Sequence, residues 1–114
     1  MDKKLIGSLG EEIASKFLIN KGYQILDRNY YSPYGELDIV ALKDNTIVIV
    51  EVKTRKNQYF QYASESINPQ KILRIKKTTL DYLMNRLQKQ FDYRFDVIEC
   101  YYETKSINHI EDAF

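Results

Sequence analysis

The sequence is poor in the residues that stabilise small secreted or zinc-bound domains. Its 114 residues include one cysteine, one histidine and no tryptophan. Cys100 alone cannot form an internal disulfide or supply a cysteine-rich zinc site, and we expect it to pack in the core. No apolar run approaches the roughly 18 residues of a spanning helix, and the chain begins without the apolar stretch of a signal peptide. We therefore expect a cytoplasmic protein without a membrane segment.

Proline and glycine are also scarce, with two and four residues, whereas 44% of the residues are hydrophobic and 29% are charged. These proportions are typical of a folded domain, and they exclude a disordered chain and a collagen-like repeat. The length fits a single domain that covers residues 1–114.

The sequence has no large excess of positive or negative charge, since the net charge is +1, but the charges are unevenly distributed along the chain. Residues 1–51 carry a net charge of −2, residues 52–94 carry +7 and residues 95–114 carry −4. A basic middle segment is the pattern expected of a protein that binds a polyanion. A solvated helix face explains the same pattern, and charge alone favours that explanation.

The first predicted helix spans residues 8–21. Its predicted apolar stripe consists of Leu9, Ile13, Phe17, Ala14 and Leu18. Ser8 and Glu11 match the S-x-x-E capping box, which places the start of the helix at Ser8. Gly22 is suited to end it.

Apolar and alternating runs predict four strands, at residues 23–30, 36–42, 46–54 and 94–101, and a short strand or turn within residues 106–114. Asn68 and Pro69 predict the start of a second helix that runs to about Gln90. Its predicted apolar stripe consists of Ile72, Ile75, Thr79, Leu80, Leu83 and Leu87. The order of helix, three strands, helix and strand predicts an α/β fold, a mixed central sheet flanked by helices.

The chemistry of the chain is concentrated on two of these strands. If Asp44 and Asn45 form the centre of a hairpin turn, antiparallel partners have residue numbers that sum to 89. Asp38 then faces Glu51 and Glu36 faces Lys53, all on one face of the sheet. A three-residue loop would instead move Asp38 to the other face relative to Glu51.

Facing carboxylates repel each other, and a divalent cation is the simplest compensation. Asp38 and Glu51 are therefore candidate ligands of Mg²⁺ or Mn²⁺, and Lys53 could orient water or stabilise a phosphate. The pattern suits metal-assisted hydrolysis of a phosphodiester. The alternative is a solvated Glu–Lys pair at a strand end. Glu11 could join the metal site, although its spacing favours the capping box.

Two further groups of residues are candidates for binding nucleic acid. The basic candidates for phosphate contacts are Arg28, Arg55, Lys56, Lys71, Arg74 and Lys77. The tyrosines near the candidate site, which could stack on bases or be partly buried, are Tyr30, Tyr31, Tyr34, Tyr59 and Tyr62. His109 has no second ligand at metal spacing, and we expect it to be structural.

Several motifs together resemble the YraN family, a group of small bacterial proteins predicted to be endonucleases. The segments that carry the resemblance are residues 7–14, 22–26, 28–29, 35–41, 50–55, 94–97 and 109–114. The family is similar to archaeal Holliday-junction resolvases and to the PD-(D/E)xK nucleases. The resemblance implies a restriction-endonuclease-like core, with the metal-binding acids at Asp38 and Glu51, the lysine at Lys53 and a helix glutamate at Glu11. Leu37 stands where the motif name has proline.

Three functional hypotheses follow from these patterns. The first is a Mg²⁺-dependent or Mn²⁺-dependent endonuclease that acts on DNA, with branched or junction DNA as a candidate substrate and a homodimer for a symmetric junction. The catalytic residues would then be Glu11, Asp38, Glu51 and Lys53. The second is a non-catalytic nucleic-acid-binding protein or accessory subunit with the same fold. The third is a protein-interaction domain, which the basic segment argues against.

Overall fold

The computed structural model describes residues 2–57, 68–87 and 89–114. These residues form two helices and five strands: α1 (Lys3–Asn20), β1 (Gln24–Ser32), β2 (Gly35–Lys43), β3 (Thr46–Arg55), α2 (Pro69–Arg86), β4 (Asp92–Tyr101) and β5 (Ser106–Ile110). Most of the connection between β3 and α2, including Tyr59 and Tyr62, lies outside the described residues. The predicted order of elements is confirmed, and residues 106–110 form the short final strand.

All five strands belong to one mixed sheet with the strand order β1-β2-β3-β4-β5. β3 and β4 are parallel, and the other neighbouring strands are antiparallel. A parallel pair requires a long crossover connection, and α2 lies in the connection from β3 to β4. The predicted mixed α/β architecture is therefore confirmed.

The two helices cover two separate apolar clusters on the sheet. The cluster with α1 contains Ala14, Leu18, Ile39, Ala41, Val48, Val50 and Ile98. The cluster with α2 contains Leu37, Val40, Ile47, Ile49, Ile75, Tyr82 and Phe95. Because successive strand residues point to opposite faces, the apolar run 47–50 contributes to both clusters. β3 is thus covered on both faces, as its sequence predicts.

The β2–β3 hairpin has the predicted register. Asp44 and Asn45 form its two-residue turn with φ angles of 50° and 61°, values that aspartate and asparagine tolerate well. The residues pair from Lys43 with Thr46 to Ile39 with Val50, so paired numbers sum to 89. The alternative three-residue loop is excluded.

The prediction for α1 is wrong at its start and only partly right about its buried face, since Ala14 and Leu18 are buried as predicted. The helix begins at Lys3, where the side chain of Asp2 caps it, so Ser8 and Glu11 lie inside the helix and form no capping box. Leu9 and Ile13 are 47% and 46% exposed. The buried row is Gly10, Ala14 and Leu18. Small residues at its first two positions let the helix backbone approach the sheet, which rotates the larger side chains outward.

The predicted start of α2 is confirmed, but its predicted end and stripe are only partly right. Asn68 caps the helix by accepting a hydrogen bond from the Lys71 N–H, and Pro69 is the first helical residue. The helix ends at Arg86 because Leu87 is extended, and Leu80 is 53% exposed. The buried residues are Ile75, Thr78, Thr79 and Tyr82. Both threonine hydroxyls donate to carbonyls four residues earlier, which satisfies them in the core.

Neither helix of the described residues is long and apolar enough to cross a membrane.

Candidate active site

Asp38 and Glu51 lie where the β2–β3 ladder ends. Ile39 and Val50 are its last paired residues, so the two acids occupy the next position on each strand. The Val52 N–H donates to Asp38 Oδ2 at 2.9 Å, and a carboxylate thus accepts a main-chain hydrogen bond just beyond the ladder. The predicted pairing of Glu36 with Lys53 falls beyond the ladder as well. The acids therefore flank a point where two neighbouring strands no longer pair.

The surroundings of Asp38 disfavour its negative charge. Burial, together with the charges of Glu51, Glu11 and Glu36, raises the pKa of Asp38 to about 7, against the hydrogen bond from Val52. An aspartate with this pKa is partly protonated at neutral pH. The site therefore attracts positive charge.

Lys71 supplies such a charge to Glu51. Its Nζ lies 2.9 Å from Glu51 Oε1, and the two side chains are 33% and 8% exposed. Lys71 stands in the first turn of α2, which the Asn68 cap fixes. Burial alone would lower the pKa of Lys71, but its hydrogen bonds with Lys53 and Glu51 raise it, so the ammonium stays charged. The sequence predicted Lys71 as a phosphate contact, whereas the structure brings it into the acidic site.

Lys53 lies in the same cluster of charged side chains as Asp38, Glu51 and Lys71. Its side chain is 9% exposed, and burial together with the neighbouring Lys71 lowers its pKa to about 8. Glu51 and Asp38 oppose this decrease because they favour the charged form. A lysine with a pKa near neutrality can exchange a proton, whereas an ordinary surface lysine cannot.

Glu11 approaches the same group of acids from α1. Its pKa is raised by burial, and the charges of Glu36 and Glu51 add to the effect, while a hydrogen bond with Asn29 and the charge of Arg28 oppose it. Because Glu11 lies well inside α1, its side chain is not used as a helix cap. The structure therefore brings Glu11 close enough to Asp38 and Glu51 for their charges to interact.

Sequence reasoning missed Asn29 as a partner of Glu11. Asn29 has a φ of 53° within β1, in the left-handed region that asparagine tolerates better than most residues. Asparagine is depleted in strands, so its occurrence inside a predicted strand was the available signal. The residue holds a carboxylate of the site by its side chain.

The donor set of the site fits a hard divalent cation. Asp38, Glu51 and Glu11 offer carboxylate oxygens, the ligands that Mg²⁺ and Mn²⁺ prefer. Among residues 2–57, 68–87 and 89–114, however, no three His, Cys, Asp or Glu side chains are arranged closely enough to hold a metal. One or two carboxylates plus substrate oxygens and water suffice for Mg²⁺. Asp38 and Glu51 are thus the core of the candidate metal site, with Glu11 beside it.

The remaining basic candidates differ in their surroundings. Arg28 donates to Glu12 Oε2 at 2.7 Å, and its Nε is buried without a hydrogen-bond partner among the described residues. Arg55 is 9% exposed and donates to Glu99 at 3.0 Å, so its placement does not favour a phosphate contact. Lys56 lies at the surface, 3.8 Å from Glu103. Arg74 and Lys77 are exposed on α2.

The described tyrosines near the site are split between surface and interior. Tyr31 and Tyr34 are 69% and 50% exposed, so their rings are accessible to a nucleic-acid base. The neighbouring Glu36 raises the pKa of Tyr31, which places this ring beside the acids. Tyr30 donates to Asp81 and packs edge-on against Tyr82. Partial burial therefore explains Tyr30, while Tyr59 and Tyr62 lie outside the described residues.

His109 and Cys100 take no part in this site. His109 Nε2 lies 2.8 Å from Asp96 Oδ2, and Arg94 donates to both oxygens of the same buried carboxylate. Hydrogen bonds from Arg94, Asp112 and His109 keep the pKa of Asp96 low although burial opposes this. Cys100 is buried as expected, and burial raises its thiol pKa to about 11.

Comparison with known proteins identifies the family. Residues 10–100 match the model of "Uncharacterised protein family UPF0102". The chain belongs to this family. A UPF0102 protein of Alkaliphilus oremlandii is 47% identical over 118 aligned residues, and one of Caldicellulosiruptor bescii is 46% identical over 119. A UPF0102 protein of Clostridioides difficile is 40% identical over 114 residues, and all three alignments cover the whole of both chains. The UPF0102 match confirms the YraN-like resemblance, and these names state no activity.

Proposed function

We propose that this protein is a metal-dependent endonuclease that hydrolyses phosphodiester bonds in DNA, with branched or junction structures as candidate substrates. The observation that carries the proposal is the placement of Asp38 and Glu51 on neighbouring strands, with Lys53 two residues further along β3. A buried aspartate whose pKa is raised by burial and by a neighbouring carboxylate is unfavourable for folding alone. Perturbed acids and a perturbed lysine in one place favour a binding or catalytic role.

In this proposal the carboxylates hold the cation. Asp38 and Glu51 would be its ligands, with Glu11 beside them, and the Val52 N–H keeps the Asp38 side chain in position. When bound, Mg²⁺ or Mn²⁺ neutralises phosphate charge and lowers the pKa of a bound water. The raised pKa of Asp38 makes the site release protons as it takes up a cation, so binding should strengthen with pH.

In this proposal Lys53 accepts a proton in its neutral form and stabilises negative charge in its protonated form. Because its pKa is about 8, a fraction of the side chains is neutral near pH 7, and their Nζ can accept the proton of the attacking water. In its charged form Lys53 stabilises the negative charge that develops on the phosphate. Hydrolysis forms a bond from the water oxygen to phosphorus, breaks the bond to the leaving oxygen and leaves that oxygen protonated.

The proposed phosphate contacts are the basic residues that face solvent. Arg74 and Lys77 lie on the exposed side of α2, and Lys56 is exposed after β3. Arg28 is a further proposed contact beside Glu11, although it is half-buried and donates to Glu12. Such contacts confer salt-dependent affinity without sequence specificity. The choice of DNA and of junctions rests on the resemblance to resolvases, and a symmetric junction calls for a homodimer.

A cleavage assay tests the proposal. Purified protein is incubated with labelled single-stranded, duplex, flapped and four-way-junction DNA in the presence of Mg²⁺, Mn²⁺ or EDTA. Glu51→Gln is the test variant, and Glu103→Gln is the matched control because Glu103 is an exposed acid that pairs with Lys56 instead. We expect metal-dependent cleavage that Glu51→Gln abolishes and Glu103→Gln retains.

The possible outcomes separate the hypotheses. Cleavage by Glu51→Gln at the wild-type rate would show that the site is wrong. Salt-sensitive DNA binding without cleavage in either metal would favour the non-catalytic nucleic-acid-binding protein. Absence of both binding and cleavage would favour a protein-interaction domain.

A further inference from the structure

The acidic site already contains a cation of its own, the Lys71 ammonium. Its Nζ lies 2.9 Å from Glu51 Oε1, which is a hydrogen-bonded ion pair rather than a distant attraction. The Glu51 side chain is 8% exposed, whereas Lys71 is 33% exposed. A buried carboxylate is therefore neutralised by a side chain that reaches it from the more open side of the site.

The position of Lys71 is fixed by the start of α2. The Asn68 side chain accepts a hydrogen bond from the Lys71 N–H at 2.9 Å, and Pro69 sets the first turn. The lysine backbone is thus anchored, and its ammonium is carried on a flexible four-carbon stem. The ammonium can leave Glu51 without any movement of the helix.

A metal ion bound by Glu51 would bind the same carboxylate, through Oε1 or through the neighbouring Oε2. Mg²⁺ binds carboxylate oxygens at about 2.0–2.1 Å, well inside the ammonium contact. An ammonium that stayed in hydrogen-bond contact with an oxygen that also binds the metal would lie within roughly 5 Å of a divalent charge, where repulsion is strong. The two positive charges therefore compete for the Glu51 carboxylate.

We propose that Lys71 is a resident cation that holds the Glu51 carboxylate in the metal-free protein and competes with the divalent metal for it. This inference rests on the proposed function because it takes Glu51 as a metal ligand. Lys71 is then a positioning residue that sets the metal concentration at which the site fills. A role as a simple surface phosphate contact would not require the contact with Glu51.

Two consequences distinguish competition from a purely structural ion pair. Removal of the Lys71 charge should tighten metal binding, because the metal no longer displaces an ammonium. The same change should lower the melting temperature in EDTA, because it leaves Glu51 buried beside Asp38 without its partner. Added metal should then restore the melting temperature of the variant by more than it raises that of the wild type.

The experiment compares Mn²⁺ binding by calorimetry in the wild type, Lys71→Met, Lys71→Gln and Glu51→Gln, with Lys89→Met as the control. Lys89 lies beyond the far end of α2, where its ammonium stands over the Phe91 ring. Lys71→Gln keeps a hydrogen-bond donor for Glu51 and serves if Lys71→Met fails to fold. We expect the dissociation constant of Mn²⁺ to fall about tenfold in Lys71→Met and in Lys71→Gln. A tenfold change is the order of one charge-assisted hydrogen bond. Lys89→Met should bind like the wild type, and Lys71→Arg, which keeps the charge, should remain close to it.

The failure of this inference differs from the failure of the proposed function. If the wild type binds Mn²⁺ and Glu51→Gln weakens that binding, but both uncharged Lys71 variants bind no more tightly than the wild type, competition is overturned and the metal site stands. If neither the wild type nor the Lys71 variants bind Mn²⁺ at millimolar concentration, the metal-dependent function is overturned together with the inference.

Discussion

The Val52 N–H donates to Asp38 Oδ2 across 2.9 Å, just beyond the last paired residues of β2 and β3. This bond holds the aspartate in a buried position near the charges of Glu51, Glu11 and Glu36, which is why its pKa reaches about 7. A carboxyl group with a folded-state pKa above its unfolded value of about 3.9 destabilises the fold when it ionises. The metal-free protein should therefore lose stability from Asp38 as the pH rises from about 4 through about 7.

Asp38→Asn should stabilise the metal-free protein. Asparagine keeps an oxygen acceptor for the Val52 N–H but carries no charge. At about pH 8 we expect the free energy of unfolding to rise by roughly 1–3 kcal/mol, and the gain should shrink toward pH 5 because the wild-type aspartate is then protonated in the fold. Urea denaturation in EDTA measures this difference. Glu103→Gln, at an exposed ion pair, should change stability by less than about 0.5 kcal/mol.

A decrease in the stability of Asp38→Asn at both pH values would contradict this account. It would mean that the ionised Asp38 carboxylate has a stabilising partner. Mg²⁺ should reverse the order of stabilities, since the wild type gains a ligand that the variant lacks.

Lys77→Ala should reduce the salt dependence of DNA binding. Lys77 is exposed on α2, and we propose that it contacts phosphate, so its loss removes one released counterion. The slope of log affinity against log salt should become shallower by about 0.7–0.9. Fluorescence anisotropy with labelled DNA over a salt series measures the slope, with Lys89→Ala as the control. An unchanged slope in Lys77→Ala would remove this face of α2 from the proposed interface.

The register of the hairpin could be predicted because few alternatives exist. Asp44 and Asn45 tolerate positive φ, so they suit a two-residue turn. With such a turn, only one pairing buries the apolar residues of both strands. The end of the ladder at Ile39 and Val50 could not be predicted, because a side-chain acceptor for the Val52 N–H leaves no trace in the hydrophobic pattern. The candidate acids could thus be chosen by residue type and spacing, but the end of the strand pairing and the hydrogen bond to Asp38 could not be predicted.

The helix faces and the role of Lys71 show a second limit of the sequence. A hydrophobic stripe predicts that the largest apolar residues are buried, yet Gly10 and Ala14 face the sheet while Leu9 stays 47% exposed. The Asn68 cap could be predicted from its neighbours, because capping is local. The contact of Lys71 with Glu51 depends on where α2 lies on the sheet, which local sequence does not specify.

Arg94→Met should destabilise the protein strongly through Asp96. Arg94 donates to both oxygens of this fully buried carboxylate at 2.9 and 3.0 Å. Without the guanidinium, Asp96 keeps only its contacts with His109 and the Asp112 N–H among the described residues. We expect a loss of about 3–5 kcal/mol, the range for breaking one side of a buried ion pair.

Chemical denaturation near neutral pH measures this loss. Arg86→Met is the matched control, because Arg86 is 55% exposed and lies 3.7 Å from Asp27, and it should cost less than about 1 kcal/mol. Since the pKa of Asp96 is lowered in the fold, the contribution of the network should also disappear in acid, as the pH falls below about 4. Equal effects of the two substitutions would show that Asp96 does not depend on Arg94.

Gly10→Ala should destabilise the fold and disturb Glu11, whereas Gly7→Ala should stabilise it. Both glycines lie inside α1, but a Cβ at Gly10 would overlap Thr54 Oγ1, while a Cβ at Gly7 meets nothing within 4 Å. Alanine at Gly7 should therefore add about 0.5–1 kcal/mol of helix stability, and alanine at Gly10 should cost about 1–2 kcal/mol despite the same propensity gain. Thr54→Ala removes the overlapping oxygen, so the double variant should recover most of the loss. Because Glu11 follows Gly10 directly, Mn²⁺ affinity should weaken in Gly10→Ala and return in the double variant. Urea denaturation measures the stabilities, and equal stabilities of Gly7→Ala and Gly10→Ala would show that α1 does not depend on this close approach.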